Sequence, residues 1–551
     1  MLAPGCAEPP LGRPALETHV EDWRDEIIYQ VVVDRFDNGD TSNDALEGLG
    51  TDPLDLRRHQ GGDWAGLRRR LGYIRELGAT AIWISPIVRN VDRAGPEDGY
   101  HGYWASDFTE LNPRFGDMQE LRRLVRDAHA LGLKVIVDVV TNHAGRVFDY
   151  DLDGDGVASA DEIEPPFRAA GPYDVPLLWR VPPPRLFSGE EGVLTLGPEH
   201  FRRRGLGDVS IPLVKVLGDF PTGLRDLDTE REDVLAALID TYVRWVVETD
   251  IDGFRIDAVP HVEQAFWPRF CTGIRERLAA LGKERFLMLG EVFVSDGATI
   301  AEFTREGGID SFMDLPFKLS LVDGVLLSGE APATARRALV ENRTLFPSAP
   351  HPQGIGVDPW RARAALLDNH DTWRIRGELD DPKVVTIGLM ALFALDAIPV
   401  IYYGTEAELD GMGGGASREP LWEHGFAREG RTFDRIQALA ALRRGSAALR
   451  RGSLELRYAS EFGGLSDAPD AGILSWERHL EALGGAPEER ILLVINAHAL
   501  QSSRATIPSG FAAGTVLIDA LDPGVDRFVV AAGGEITLSL GPRRGLLLMA
   551  R

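Results

Sequence analysis

MQELRRLVRDAHALGLKVIVDVVTNH, Met118–His143, sets the reading of this chain. Its first sixteen residues place an apolar side chain every three or four positions, the period of a helix with one buried face. KVIVDVV then forms a short β-branched run, as a strand does, and the polar TNH follows where that strand would end. A helix feeding a strand in this way is one βα unit.

The same signature recurs outward from this stretch. IIYQVVVD (from Ile27), TAIWIS (from Thr80), DGFRID (from Asp252) and RFLMLGE (from Arg285) read as strands, as do SFMDLP (from Ser311), RAALLD (from Arg363) and IPVIYYG (from Ile398). Eight such units over roughly 400 residues favour a closed barrel over an open sheet. The predicted class is α/β, a (β/α)8 TIM barrel with a small inserted domain after strand 3 and a C-terminal antiparallel β-sandwich domain. The expected boundaries are a disordered N-terminal segment over 1–22, a barrel over 23–143 and 227–445, an inserted calcium-binding domain over 144–226 and the sandwich over 446–551. The insertion is inferred because the gap between the third and fourth strands is too long for a loop. The sandwich is inferred from ILLVINA (from Ile491), GTVLIDAL (from Gly514), RFVVAA (from Arg527) and RGLLLMA (from Arg544).

The chain has 551 residues, 44% hydrophobic and 26% charged, which suits a soluble globular protein. Its 85 acidic against 59 basic side chains give a net charge of -26, which repels nucleic acid and anionic lipid. A neutral substrate or bound cations fit better, and no run is apolar enough to span a bilayer. Cys6 and Cys271 suggest no disulfide framework. The opening MLAPGCAEPP lacks an apolar signal core; it resembles either the remnant of a bacterial lipoprotein signal or an ordinary disordered terminus. The expectation is an extracytoplasmic protein, with a monomer favoured.

In a parallel barrel the C-terminal strand ends surround one mouth, so polar residues there converge despite distance in sequence. Here those ends read DVVTNH (Asp138–His143), GFRIDAVPH (Gly253–His261), GEVF (Gly290–Phe293) and LDNHD (Leu367–Asp371). Between strands, DLDGDGVASADE (Asp151–Glu162) fills every position of the calcium-loop template. Its ligands would be Asp151, Asp153, Asp155, the Val157 carbonyl, Ser159 and Glu162; the competing reading is an acidic surface turn.

These four strand-end motifs, with YHGYWASDF (from Tyr100), LRDLD (from Leu224) and IPVIYYGTE (from Ile398), resemble the α-amylase family of glycoside hydrolases. The resemblance implies a retaining hydrolase of α-1,4-glucosidic bonds in starch, maltodextrins or cyclodextrins. It makes Asp257 the nucleophile, Glu291 the acid/base and Asp371 the third carboxylate, with Arg255 orienting Asp257. It also implies substrate contacts from His143 and His370 and a stacking platform at Tyr103, with His101 and Trp104 beside it. Pro260 stands where family members often carry Lys, so altered affinity or product pattern is expected on the leaving-group side. A transglycosylase uses the same glycosyl-enzyme and stays an alternative, as does a non-catalytic carbohydrate-binding barrel.

The resemblance extends to structural Ca2+. DRFDNGDTSND and QGGDW are similar to a calcium site of cyclodextrin glucanotransferases, implying Asn38, Asp40, Asn43, Asp44, the Gly61 carbonyl and Asp63. Asn38 replaces the usual Asp, and Asp37 is the neighbouring carboxylate that could compensate. A further site of many α-amylases maps to Asn142, Asp226 and the His261 carbonyl.

Overall fold

A computed structural model describes residues 9–46, 48–482 and 487–551. Cys6 lies outside them; Cys271 is buried in the helix Phe266–Ala280. All eight expected strands are present: β1 Ile28–Val31, β2 Ala81–Ile84, β3 Lys134–Val140, β4 Gly253–Asp257, β5 Leu287–Gly290, β6 Ser311–Phe312, β7 Ala364–Leu366 and β8 Ile398–Tyr402. They form one sheet in the order β6-β5-β4-β3-β2-β1-β8-β7. The registers β3/β4, β5/β6, β7/β8 and β1/β8 are all parallel, and a parallel bridge from Met313 to Ala364 links the end of β6 to β7. This is the strand order of a (β/α)8 barrel.

The unit over Met118–His143 shows why the elements form. Helix α1, Met118–Ala130, starts where Asp117 accepts a hydrogen bond from the Glu120 amide, and it buries Leu121, Leu124, Val125 and Ala128. Gly132, at φ 74°, then turns the chain into β3. Six of the seven residues of β3 are buried, as befits a strand covered on both faces.

The chain divides into two compact units. The first comprises residues 1–21, 32–72 and 83–287. Between β3 and β4 it carries short antiparallel pairs, Phe148–Tyr150 with Leu177–Trp179 and Arg185–Ser188 with Gly192–Thr195. Among the described residues of the segment 1–22, expected to be disordered, Leu11, Glu17 and His19 are fastened. Gln119 exchanges two hydrogen bonds with the Leu11 backbone, the Glu17 amide donates to Asp250, and His19 Nε2 lies 2.8 Å from Asp250. The Pro-rich composition hid these partners, which lie more than a hundred residues away.

The second unit comprises residues 22–31, 73–82 and 288–551. It contains a rare π-helical run, Lys318–Leu327, and a C-terminal antiparallel sheet of six strands. A separate antiparallel pair, Ser503–Pro508 with Glu535–Leu540, alternates buried and exposed residues. Ile507, Leu538 and Leu540 of that pair share one core with Leu492, Val494, Leu546 and Leu548 of the larger sheet, giving the expected sandwich packing.

Candidate active site

In the first unit, Asp257 is the last residue of β4 and Arg255 precedes it by two, so both side chains leave the strand on one face. Arg255 is fully buried; its Nη1 donates to Asp257 Oδ1 at 2.7 Å and to both oxygens of Asp138 at 3.0 and 3.1 Å. One guanidinium therefore joins two carboxylates on paired strands, since Arg255 sits opposite Asp138 in the β3/β4 register. Asp138 Oδ2 also accepts from Trp83 Nε1 at 3.1 Å and from the Tyr103 hydroxyl at 2.7 Å. Tyr103 is thereby tied to the network that orients Asp257.

Behind Tyr103 stand two of the predicted contacts. His101 accepts from the Tyr103 amide at 3.1 Å and stacks on the Tyr103 ring, with centroids 5.6 Å apart. Trp104 is 6% exposed and meets His101 edge-on. His143 Nε2 lies 3.2 Å from the Tyr103 carbonyl, and its Nδ1 lies 3.2 Å from the Asn142 amide. Burial pushes its pKa down to about 3, so the ring is neutral at any working pH above that.

In the second unit, Glu291 follows β5 directly and is 8% exposed. Asp371 lies beyond β7 with its carboxylate a third exposed, gripped by Arg418 Nη2 on Oδ1 and His370 Nε2 on Oδ2, each at 3.1 Å. Gln30 Nε2 contacts His370 Nδ1 at 2.8 Å, which assigns the proton to Nε2, facing Asp371. Arg418 Nε also donates to the His370 carbonyl at 3.0 Å.

Three of these residues escaped the sequence reading. Asp138 and Gln30 carried a signal, each being a polar residue inside an apolar strand. Arg418 carried none, because it comes from a glycine-rich loop after β8.

The expected calcium loops differ in their donor atoms. Carboxylate oxygens of Asp151, Asp153 and Asp155 lie within 4.8 Å of one another. Gly156, the sixth loop residue, has φ 79°, the left-handed turn the template demands there. Glu162 accepts from the amides of Leu152 and Ser159, while Val157 is exposed. In the Asn38 loop, the buried oxygens Asn38 Oδ1 and Asn43 Oδ1 have no hydrogen-bond partner among the described residues, which suits a cation. Asn38 Nδ2 donates to Asp44 at 2.8 Å, and Asp63 is spent on the amides of Gly39, Asp40 and Gly66. Asp37 does not replace the missing charge, for Arg69 and Arg70 hold it at 2.8 and 2.7 Å. At the third location Asp226 is buried and its pKa lies well above the usual carboxylate range, because burial and nearby acids outweigh Arg202. Arg202 Nε lies 3.2 Å from Asp226 Oδ2, a resident positive charge the sequence did not reveal. Asn142 is buried beside His143, and the His261 amide closes a turn onto Ala258.

Comparison with known proteins decides the lineage. The model of the alpha-amylase catalytic domain matches residues 30–159 and 216–439. The chain belongs to the alpha-amylase family. An alpha-amylase of Streptomyces lividans is 31% identical over 477 residues, covering 76% of this chain and 50% of that relative. A cyclomaltodextrin glucanotransferase of Geobacillus stearothermophilus is 30% identical over 434 residues, covering 77% and 55%. The chain thus spans about half the length of these curated relatives. Among solved structures, an Anoxybacillus alpha-amylase aligns with a TM-score of 0.73 at 28% identity, covering 96% of this chain and 99% of its own. The alpha-amylase catalytic match includes Asp138, Asp257, Glu291, Asp371 and Arg418; it omits residues 160–215, which hold the end of the acidic loop and Arg202.

Proposed function

We propose that this protein is a retaining α-glucan glycosidase acting on α-1,4 linkages, with Asp257 as nucleophile and Glu291 as acid/base. The observation that carries it is the Arg255 guanidinium shared between Asp257 and Asp138 at the end of β4, in a chain of the alpha-amylase family. Arg255 holds the Asp257 carboxylate as an anion, ready to attack an anomeric carbon. Glu291 protonates the departing glycosidic oxygen, then takes a proton from the water that releases the sugar from Asp257, so configuration is retained. Tyr103, anchored through its hydroxyl to Asp138, offers its ring to the apolar face of the sugar. Asp371, clasped by Arg418 and His370, accepts hydrogen bonds from sugar hydroxyls.

Transfer to another sugar instead of water is the second reading, supported by the likeness to a cyclomaltodextrin glucanotransferase. Both share one glycosyl-enzyme. For the acidic loop, the Asn38 loop and the Asp226 location we propose structural calcium, whose hard charge suits carboxylate, amide and carbonyl oxygens.

The test is incubation with starch, maltoheptaose, β-cyclodextrin and pullulan, with products resolved by size and anomer. α-Anomeric maltooligosaccharides are expected, and Asp257→Asn should lower turnover by at least about a thousandfold. β-Anomeric products, or undiminished turnover by that variant, overturn the assignment.

A further inference from the structure

The segment between Asp371 and Arg374 is pinned on both sides. The Asp371 amide donates to Asn369 Oδ1 and the Asn369 amide to Thr372 Oγ1, both at 3.0 Å. Buried Arg374 bonds the Tyr403 carbonyl and Glu419, each at 2.8 Å, and Asp368 receives the Ile375 amide at 2.9 Å. Between these anchors Trp373 is half exposed. A large apolar ring on a rigid turn, two residues from a carboxylate assigned to sugar binding, is a costly surface unless something covers it.

The glycine-rich stretch GMGGG, Gly411–Gly415, explains how the ring is held. Gly413 has φ 80°, and a Cβ there would lie 2.6 Å from Trp373 Nε1. Only glycine lets the loop approach the nitrogen-bearing edge of the indole so closely, while half the side chain stays open to solvent. The Gly411 carbonyl accepts from the Arg374 amide at 3.2 Å, which binds the loop to the turn.

We propose that Trp373 is a sugar-stacking platform for the glucose unit next to the one held at Asp371, and so a determinant of chain-length preference. The proposal rests on the α-glucan reading above. Glucose presents an apolar C–H face that packs on an aromatic ring, and an indole fixed in advance loses little entropy on binding. A glucan too short to reach the indole gains nothing from it.

The experiment measures maltooligosaccharides of increasing length with the wild type, Trp373→Ala and Trp373→Phe. Trp373→Ala should raise KM about tenfold for maltoheptaose, equal to about 1.4 kcal/mol, with kcat reduced less than about twofold. The shortest cleaved substrate should be unaffected, and Trp373→Phe should recover most of the loss. An unchanged KM for maltoheptaose in Trp373→Ala overturns the platform. A second readout stands apart from turnover: maltoheptaose should perturb the tryptophan emission of Asp257→Asn protein and leave that of Asp257→Asn/Trp373→Phe largely unchanged. Equal perturbation in both, or none in either, overturns the proposal. Absence of wild-type turnover with a Trp373-dependent emission change would instead sink the hydrolase reading and leave a glucan-binding platform.

Discussion

Asp138 is the residue on which the Arg255–Asp257 network turns. It lies in the middle of an apolar strand, 1% exposed, and balances Arg255 while receiving Trp83 and Tyr103. Removing its charge takes from the buried guanidinium one of the carboxylates that balance it. Asp138→Asn should therefore cost about 3 kcal/mol or more in urea unfolding. It should also lower kcat/KM for maltoheptaose, because the hydroxyl anchor of Tyr103 and the aim of Arg255 both loosen. A second residue-scale expectation concerns Gly156, whose φ of 79° opens into free space. Nothing blocks a side chain there, so Gly156→Ala acts through backbone strain alone, about 1–2 kcal/mol. Calcium titration should show weaker binding in that variant, with an unaltered circular dichroism spectrum.

At the scale of an element, the N-terminal strap is held by a compact polar group. His19 and His129 stack with centroids 3.6 Å apart, bonded at 2.8 Å to Asp250 and Asp252 respectively, and Lys283 reaches both carboxylates. The hydrogen bond to Asp250 raises the His19 pKa above 6.5 despite partial burial. A raised imidazole pKa means the stabilisation is complete below pH 6.5 and fades as pH rises through the folded-state value. Asp252 moves the opposite way: burial opposes it, but His129 and Lys283 hold it below 3.8, so its contribution is lost only as pH falls through that lowered value. The strap should be tightest between about pH 4 and 6.5. Amide protection at Leu11 and Glu17, taken relative to intrinsic exchange at each pH, should fall above that window, and His19→Gln should show low protection at every pH; pH-independent protection in the wild type would refute the latch.

Across the whole molecule, the net charge of -26 includes acidic residues gathered in the calcium-loop candidates. An ion that binds only the folded chain stabilises it by about 4 kcal/mol at a thousandfold excess over its Kd. Chelation with EDTA should therefore lower Tm, and calcium should restore it where magnesium does so poorly, since magnesium resists such irregular oxygen cages. An identical Tm in EDTA and in calcium would remove the structural-calcium proposal.

The βα periodicity and the eight strand positions were legible in the sequence alone, because they depend on local period. The left-handed glycine of the acidic loop was equally local. Other features were decided by tertiary structure. Arg418 reaches Asp371 from 47 residues away, and Arg202 stands beside Asp226. The terminal strap likewise finds Asp250 and Lys283 more than 200 residues along the chain. Such partners are set by packing across the fold, where distance along the chain carries no information about distance in space.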